Sequence, residues 1–171
     1  MSRAFVRESD DRPELPTAPP ASSLPAGAKN YLTERGAARL TTELQRLRED
    51  ERPPLVAASE DADAKRQLAS LDQRIASLEQ SLQSAEVVPL AAADPGVVRF
   101  GATVTIRRAD GEEDQYRIVG VDEIDLERGW VSWLSPIARA LLNATAGQRV
   151  RFRFPSGEEE LQIVKIEYED V

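Results

Sequence analysis

The sequence predicts an α+β fold, in which an antiparallel helical hairpin of the coiled-coil type precedes an antiparallel sheet that carries one helix. Leucines recur at helical spacing between residues 31 and 88. Beyond residue 98, apolar residues alternate with polar ones, which is the period of a strand. Within this later part, Ser135 and Pro136 mark the start of a single short helix.

Residues 1–30 are predicted to form a flexible lead. Residues 9–30 are rich in proline, serine, alanine and acids, a composition that builds neither a packed core nor a regular helix. The charged start contains no apolar core of a signal peptide, and no later segment reaches the ~20 apolar residues of a membrane span. We therefore expect a cytoplasmic protein with no membrane partner.

Residues 31–88 are predicted to form the hairpin. In its first arm Leu40, Leu44 and Leu47 fall at steps of four and three. The second arm continues these steps with Leu68, Leu71, Ile75, Leu78 and Leu82. Such a stripe needs a partner helix, and the first arm is the nearest candidate. Pairing of the stripe between chains is the alternative, and it would make the protein a coiled-coil scaffold.

The segment from Ala57 to Ala64 is predicted to be the tip, because it is rich in capping residue types and free of large apolar side chains. Pro53-Pro54 predicts a kink or a short break in the first arm, since a proline ring removes a helical hydrogen bond and crowds a carbonyl. The acids Glu60, Asp61 and Asp63 are typical caps at a helix start. A role of these carboxylates at a metal ion is the alternative.

Residues 89–97 are predicted to be a linker, and residues 98–171 a module of five or so short strands. The alternation begins at Ala102, Tyr116, Val131, Val150 and Leu161, and it changes phase at Val164. Asp110-Gly111 predicts a tight turn between the first two strands, and Pro155-Ser156-Gly157 another between the last pair.

The composition limits the possible chemistry. The chain has no cysteine and no histidine, which excludes thiolate and histidine metal sites and Ser-His-Asp catalysis. Carboxylates remain as the acid, base or metal-binding groups near neutral pH. With 22 basic and 30 acidic residues the net charge is −8, which disfavours broad electrostatic binding of nucleic acid. We expect nucleic acid to be met locally or through a partner protein.

The stretch from Ser132 to Leu142 combines a strand end, a capped turn and a short helix. Ser135 is expected to accept a hydrogen bond from the first helical turn, where Pro136 has no N–H to lose. Ile137 and Leu141 form one apolar face, and Arg139 projects from another. The helix closes a core in one interpretation, and in the other it is a docking surface with Ser135, Pro136 and Arg139 exposed.

This stretch resembles the Ser-x-x-Ser-Pro-Ile-Ala-Arg-x-Leu motif of the bacterial Gre transcription elongation factors. Further segments follow in the family's order, namely residues 99–106, 116–123 and 164–168. The start of the chain, Met1 to Val6, is also similar to some family members. The resemblance covers nearly all of the chain from Tyr31 to Tyr168. One departure is Gln148, where the family usually carries an acid.

The resemblance implies an accessory factor of RNA polymerase that is not an enzyme by itself. It implies an FKBP-like C-terminal module that contacts the polymerase through Ser135, Pro136, Ile137 and Arg139. It also implies that the hairpin enters the secondary channel, where tip acids of the family help to hold the Mg²⁺ of the polymerase active centre. We expect no cofactor of the chain's own, a monomer, and only indirect contact with nascent RNA. A prolyl isomerase is a third alternative, which rests on fold likeness alone.

The predicted tip departs from the family pattern Asp-x-x-Glu-Asn. Residues 60–64 keep the spacing of two acids but reverse their types, and Ala64 stands in place of the asparagine. Matching the flanking residues makes each arm shorter by about a heptad, or roughly 10 Å of reach. Glu60, Asp61 and Asp63 remain the candidate catalytic residues at the tip. We nevertheless expect a regulator that occupies the channel and stimulates RNA cleavage weakly or not at all.

The family also carries a basic patch that faces RNA. The corresponding candidates are Arg39, Arg46 and Arg48 on the first arm. Each has acids nearby, and these predict a solvated, salt-bridged face instead.

Overall fold

The computed structural model describes residues 24–90 and 94–168 and has an α+β architecture. Most of the predicted lead (residues 1–23), part of the predicted linker (residues 91–93) and residues 169–171 lie outside the described residues. Of the helices that the structure describes, none combines the length and the apolar character needed to cross a membrane.

Two helical arms form the N-terminal part. The first arm consists of α1 (Glu34–Arg46), a π-helical turn (Leu47–Glu51) and α2 (Arg52–Ala57), and the second arm is α3 (Ala62–Ser84). The break predicted from Pro53-Pro54 is wrong, since helical residues run without a gap from 34 to 57, and the prolines are instead preceded by a change to π-helical hydrogen bonding. Pro53 falls in the first turn of α2, where a missing N–H costs least.

The apolar stripes of the two arms pack against each other within one chain. The buried members of this cluster are Leu32, Leu40, Leu47, Ile75 and Leu78. Ion pairs cross between the arms at the surface: Arg74 reaches Glu43 at 2.8 Å and Arg52 reaches Asp72 at 2.8 Å. The turn between the arms occupies residues 58–61, inside the segment predicted to be the tip.

Two short strands at the base of the arms were missed by the sequence analysis. Strand β1 (Asn30–Thr33) precedes α1, strand β2 (Ala85–Val88) follows α3, and the two pair in parallel. The Thr33 side chain caps α1 by accepting a hydrogen bond from the N–H of Gly36 at 2.9 Å. The end of β1 is thus joined rigidly to the start of the first arm.

The C-terminal part is a five-stranded sheet with the order β5-β4-β3-β7-β6. Its strands are β3 (Thr103–Arg107), β4 (Glu113–Val119), β5 (Trp130–Ser132), β6 (Arg149–Phe154) and β7 (Gly157–Glu167). The predicted turns at 110–111 and 155–157 are confirmed, and Gly111 has a φ of +91°. The phase change at Val164 belongs to an irregularity inside β7, where the register against β3 shifts.

The prediction of a fully antiparallel sheet is wrong at one pair of strands. Strand β5 runs parallel to β4, with Arg117 opposite Trp130 and Val119 opposite Ser132. The ten connecting residues, 120–129, include two short 3₁₀ turns and lead the chain back along β4 before β5 begins. A tight two-residue connection would have made β5 antiparallel to β4. The longer connection instead returns the chain to the end of the sheet at which β4 starts, so β5 runs parallel to β4.

Helix α4 (Pro136–Leu141) covers one part of the sheet. Its residues Ala138 and Leu141 are completely buried in the C-terminal core, together with Ile118 and Leu161. The predicted start of this helix at Ser135-Pro136 is confirmed.

Candidate functional site

The start of α4 presents a small surface held by short-range hydrogen bonds. The hydroxyl of Ser135 accepts from the N–H of Ala138 at 3.3 Å, and the N–H of Ser135 donates to the carbonyl of Ser132 at 2.9 Å. Pro136 and Arg139 are exposed, whereas Ser135 is half-buried. We call Ser135, Pro136 and Arg139 the α4 surface.

Ile137 differs from these three residues, since it is half-buried and packs against the C-terminal core. The prediction that the helix closes a core is therefore confirmed, and docking stays a prediction for the exposed Pro136 and Arg139. Ala138 and Leu141 close the core, and the α4 surface faces outward. Because its inner face is fixed by packing, the outer face has a defined orientation.

An open groove of about 740 Å³ lies beside α4, where the base of the arms meets the C-terminal part. The ring of Tyr31 lies 5.0 Å from that of Trp133 in an edge-on arrangement, and 5.7 Å from that of Phe100. Aromatic contacts of this geometry stabilise a junction beyond the area that they bury. No local sequence pattern indicates this cluster, because its members come from three separate segments.

The predicted tip acids lie together at the turn between the arms. The carboxylate of Asp61 caps α3 by accepting from the N–H of Asp63 at 2.9 Å, and Asp63 pairs with Arg66. Glu60 is exposed next to them. Within residues 24–90 and 94–168, no three His, Cys, Asp or Glu residues are grouped so that they could hold a metal ion.

The three candidate basic residues of the first arm each have a polar contact. Arg46 pairs with Glu51, and Arg48 pairs with Glu79 across the arms. Arg39 donates to the backbone carbonyl of Asp122 at 3.2 Å. The structure thus contains the predicted salt-bridged face, and Arg39 belongs to a contact with the C-terminal part.

The most extensively bonded acid of the site region is Glu123, which the sequence analysis did not single out. Only 2% of Glu123 is exposed, and its carboxylate accepts from the backbone N–H groups of Thr33 at 3.0 Å and Gly120 at 3.1 Å. A Cβ added to Gly36 would lie 2.0 Å from an oxygen of this carboxylate. We call Thr33, Gly36, Gly120 and Glu123 the junction, because they join the arms to the C-terminal part.

Comparison with known proteins shows that the sequence matches one protein family. The model of the family "Transcription elongation factor, GreA/GreB, C-term" matches residues 93–168. Transcription elongation factor GreB of Neisseria meningitidis serogroup A is 40% identical over 154 residues, which cover 82% of this chain and 94% of the relative. Transcription elongation factor GreA of Alkalilimnicola ehrlichii is 41% identical over 156 residues, which cover 82% and 99%.

A solved structure, the transcription elongation factor GreA/GreB from Nitrosomonas europaea, is 26% identical. It covers 82% of this chain and all of that chain, with a TM-score of 0.41. The comparison with the Neisseria protein is informative about length. It spans 154 positions, while 82% of 171 residues is about 140, so about 14 positions of the relative have no counterpart here.

Proposed function

Because the chain belongs to the GreA/GreB family of transcription elongation factors, we propose that it binds bacterial RNA polymerase at the secondary channel through its α4 surface. It is an accessory factor and not an enzyme by itself. One observation carries the docking proposal: Pro136 and Arg139 are exposed on a helix whose opposite face is completely buried. An exposed apolar ring beside a cation on a rigid support is suited to recognition by a protein partner.

The proposal includes the finer architecture expected from the family. Residues 31–88 would act as a coiled-coil hairpin, and residues 98–171 as an FKBP-like module, joined by the linker 89–97 and preceded by the lead 1–30. The protein would work as a cytoplasmic monomer that meets nascent RNA only through the polymerase. The leucine stripes support the monomer, since each is covered by the other arm of the same chain.

We further propose that the tip occupies the channel with weak or absent stimulation of RNA cleavage. The carboxylate of Asp61 caps α3, and the carboxylate of Asp63 forms an ion pair with Arg66. Both carboxylates therefore stabilise the turn. The alignment with the Neisseria relative contains about 14 positions without a counterpart in this chain, which is the number that the loss of one heptad from each arm would give. Any Mg²⁺ involved would be the polymerase's own, held mainly by carboxylate and water oxygens outside this chain.

The first experiment combines an RNA cleavage assay on backtracked elongation complexes with a competition test against a cleavage-competent GreB. Competition without shortening of the RNA is the expected result. Shortened RNA would overturn the proposal of a non-cleaving regulator while leaving polymerase binding in place. The absence of both effects would overturn polymerase binding and favour a scaffold role.

Two matched variants assign the binding to the α4 surface. Arg139→Ala removes the exposed cation of α4, and Arg151→Ala removes an exposed arginine from β6. We expect Arg139→Ala to weaken competition about tenfold, the loss typical of a charged interface contact. Arg151→Ala should compete like the unmodified protein. Equal competition by both variants would place the docking surface elsewhere.

A further inference from the structure

A small cavity of about 70 Å³ lies next to the junction, between α1 and the β4–β5 edge of the sheet. Four of the residues that line it are arginines: Arg35, Arg39, Arg117 and Arg128. Arg35 and Arg39 come from the first arm, whereas Arg117 and Arg128 come from the C-terminal part. The cavity therefore gathers cations from both parts of the molecule.

The lining contains a single carboxylate, that of Glu123. This group already accepts hydrogen bonds from the N–H groups of Thr33 and Gly120 and from the Thr33 hydroxyl. Of the other acids nearby, Asp125 pairs with Arg128 at 3.3 Å. Among the residues that line the cavity, four side chains are cationic and one is anionic.

Trp130 organises two of the arginines. The guanidinium carbons of Arg117 and Arg128 lie 5.2 Å and 5.4 Å from the centroid of its ring. Cation–π stacking uses the flat face of a guanidinium, and the N–H donors project from its edge. Arg117 is only 6% exposed, so its charge acts in a medium of low dielectric constant, where an anion is attracted more strongly than in water.

We propose that this cavity binds a phosphate group and that the bound phosphate bridges the arms and the C-terminal part. Guanidinium groups match the oxygens of phosphate in geometry and charge, often through paired hydrogen bonds. A volume of about 70 Å³ suits one tetrahedral anion or a few water molecules, and not a larger ligand inside the cavity.

The phosphate could belong to a free phosphate or nucleotide, or to the backbone of RNA. The site shares no residue with the α4 surface or with the tip acids. Its occupation can therefore be measured on the isolated protein, without the polymerase. Failure of the proposed polymerase docking and failure of this site are separate experimental results.

Calorimetric titration of the full-length protein with inorganic phosphate at low ionic strength tests the proposal. We expect saturable binding that Arg39→Gln and Arg128→Gln each weaken about tenfold or more, the effect of losing one hydrogen bond to a charged group. Both arginines are exposed side chains, so neither substitution should unfold the protein. The control Arg151→Gln should retain the original affinity. No binding, or equal weakening by the control, would overturn the site.

Tryptophan fluorescence gives a second, local readout. Phosphate that orders Arg128 above Trp130 should change the emission, and Trp130→Phe should abolish that change while calorimetry still detects binding. An unchanged signal from Trp130→Phe would place the responding group elsewhere and contradict the proposed site.

Two short RNAs then distinguish the sources of the phosphate. If an RNA with a 5′-hydroxyl displaces inorganic phosphate, the site accepts backbone phosphates. If only an RNA with a 5′-phosphate displaces it, the site takes a terminal or free phosphate group. Displacement that Arg39→Gln and Arg128→Gln do not affect would overturn the assignment to this cavity.

Discussion

Glu123 and Thr33 are bonded to each other although 90 positions separate them in the chain. The carboxylate of Glu123 accepts from both the backbone N–H and the hydroxyl of Thr33. The same hydroxyl oxygen accepts from the N–H of Gly36, and the carboxylate also accepts from Gly120. One buried acid therefore connects the end of β1, the start of α1 and the loop that follows β4. We infer that this contact fixes the direction of the arms relative to the sheet.

The first prediction concerns Glu123→Ala. This change leaves the buried N–H groups of Thr33 and Gly120 without their acceptor, so we expect the free energy of unfolding to fall by about 3 kcal/mol. Urea unfolding followed by circular dichroism measures this loss. Glu127→Ala is the control, because Glu127 is an exposed acid of the same loop, and it should change stability by less than about 0.5 kcal/mol. Equal stability of both variants would contradict a structural role of Glu123.

The second prediction concerns Gly36→Ala. Alanine at an ordinary helical position stabilises a protein by up to about 1 kcal/mol relative to glycine. Here the new methyl group would meet the Glu123 carboxylate at 2.0 Å, so we expect a loss of roughly 1–3 kcal/mol instead. Thermal unfolding shows whether Gly36→Ala raises or lowers the stability. Ala38→Gly, at an exposed position of α1, measures how much an alanine-to-glycine difference is worth in this helix when no clash is involved. In a Glu123→Ala background the penalty of Gly36→Ala should shrink, and an unchanged penalty would refute the proposed clash.

The contrast between α4 and the junction shows which features a sequence can predict. Ser135 and Pro136 act on the backbone of their own turn, so the start of α4 was predictable from neighbouring residue types. Glu123 accepts from the N–H of Gly120 three residues earlier, as in a capping box, but it also accepts from Thr33 on another element, and no local pattern predicts that second contact. Its place after Gly120, inside a segment that matches the family order, was the available signal.

The sheet shows the same limit for topology. Alternating residues located all five strands, because each strand has one face in the core. Alternation does not encode the direction in which a strand enters the sheet. The parallel pairing of β4 with β5 depends on the path of residues 120–129, and two short 3₁₀ turns in that loop carry no periodic signal. Strands β1 and β2 have only four residues each, too few to establish a period.

The third prediction separates capping from chemistry at the tip. Asp61→Ala removes the acceptor of the Asp63 N–H, and we expect a loss of about 1 kcal/mol in stability, as for other N-cap substitutions. Glu60→Ala, at an exposed neighbouring position, should have little effect on stability. If the acids act only as caps, the triple change of Glu60, Asp61 and Asp63 to Ala leaves any RNA cleavage by the backtracked polymerase unchanged. Loss of cleavage with intact polymerase binding would instead demonstrate a role at the metal ion.

The fourth prediction concerns Tyr168, whose hydroxyl donates to the carbonyl of Val97 and accepts from the N–H of Arg99 at 2.9 Å. Burial raises the pKa of Tyr168 above its ordinary value of 10.0, an effect that the nearby Arg99 partly opposes. Because the folded pKa is the higher one, the folded state retains this proton more strongly than the unfolded state. The resulting stabilisation is complete below pH 10.0 and is lost as the pH rises through the folded pKa.

Tyr168→Phe tests this pH dependence directly. At neutral pH the substitution removes two hydrogen bonds, and we expect it to cost about 1–2 kcal/mol. Above pH 10.0 the unmodified protein loses the contribution of the neutral hydroxyl, which the variant never had, so the stability difference between the two proteins should narrow. Urea unfolding of both proteins at neutral pH and at about one pH unit above 10.0 measures the difference. Lysines titrate in this range in both proteins, so their effect cancels in the comparison. A stability difference between the two proteins that stays constant or widens with pH would show that Tyr168 is not held in its neutral form.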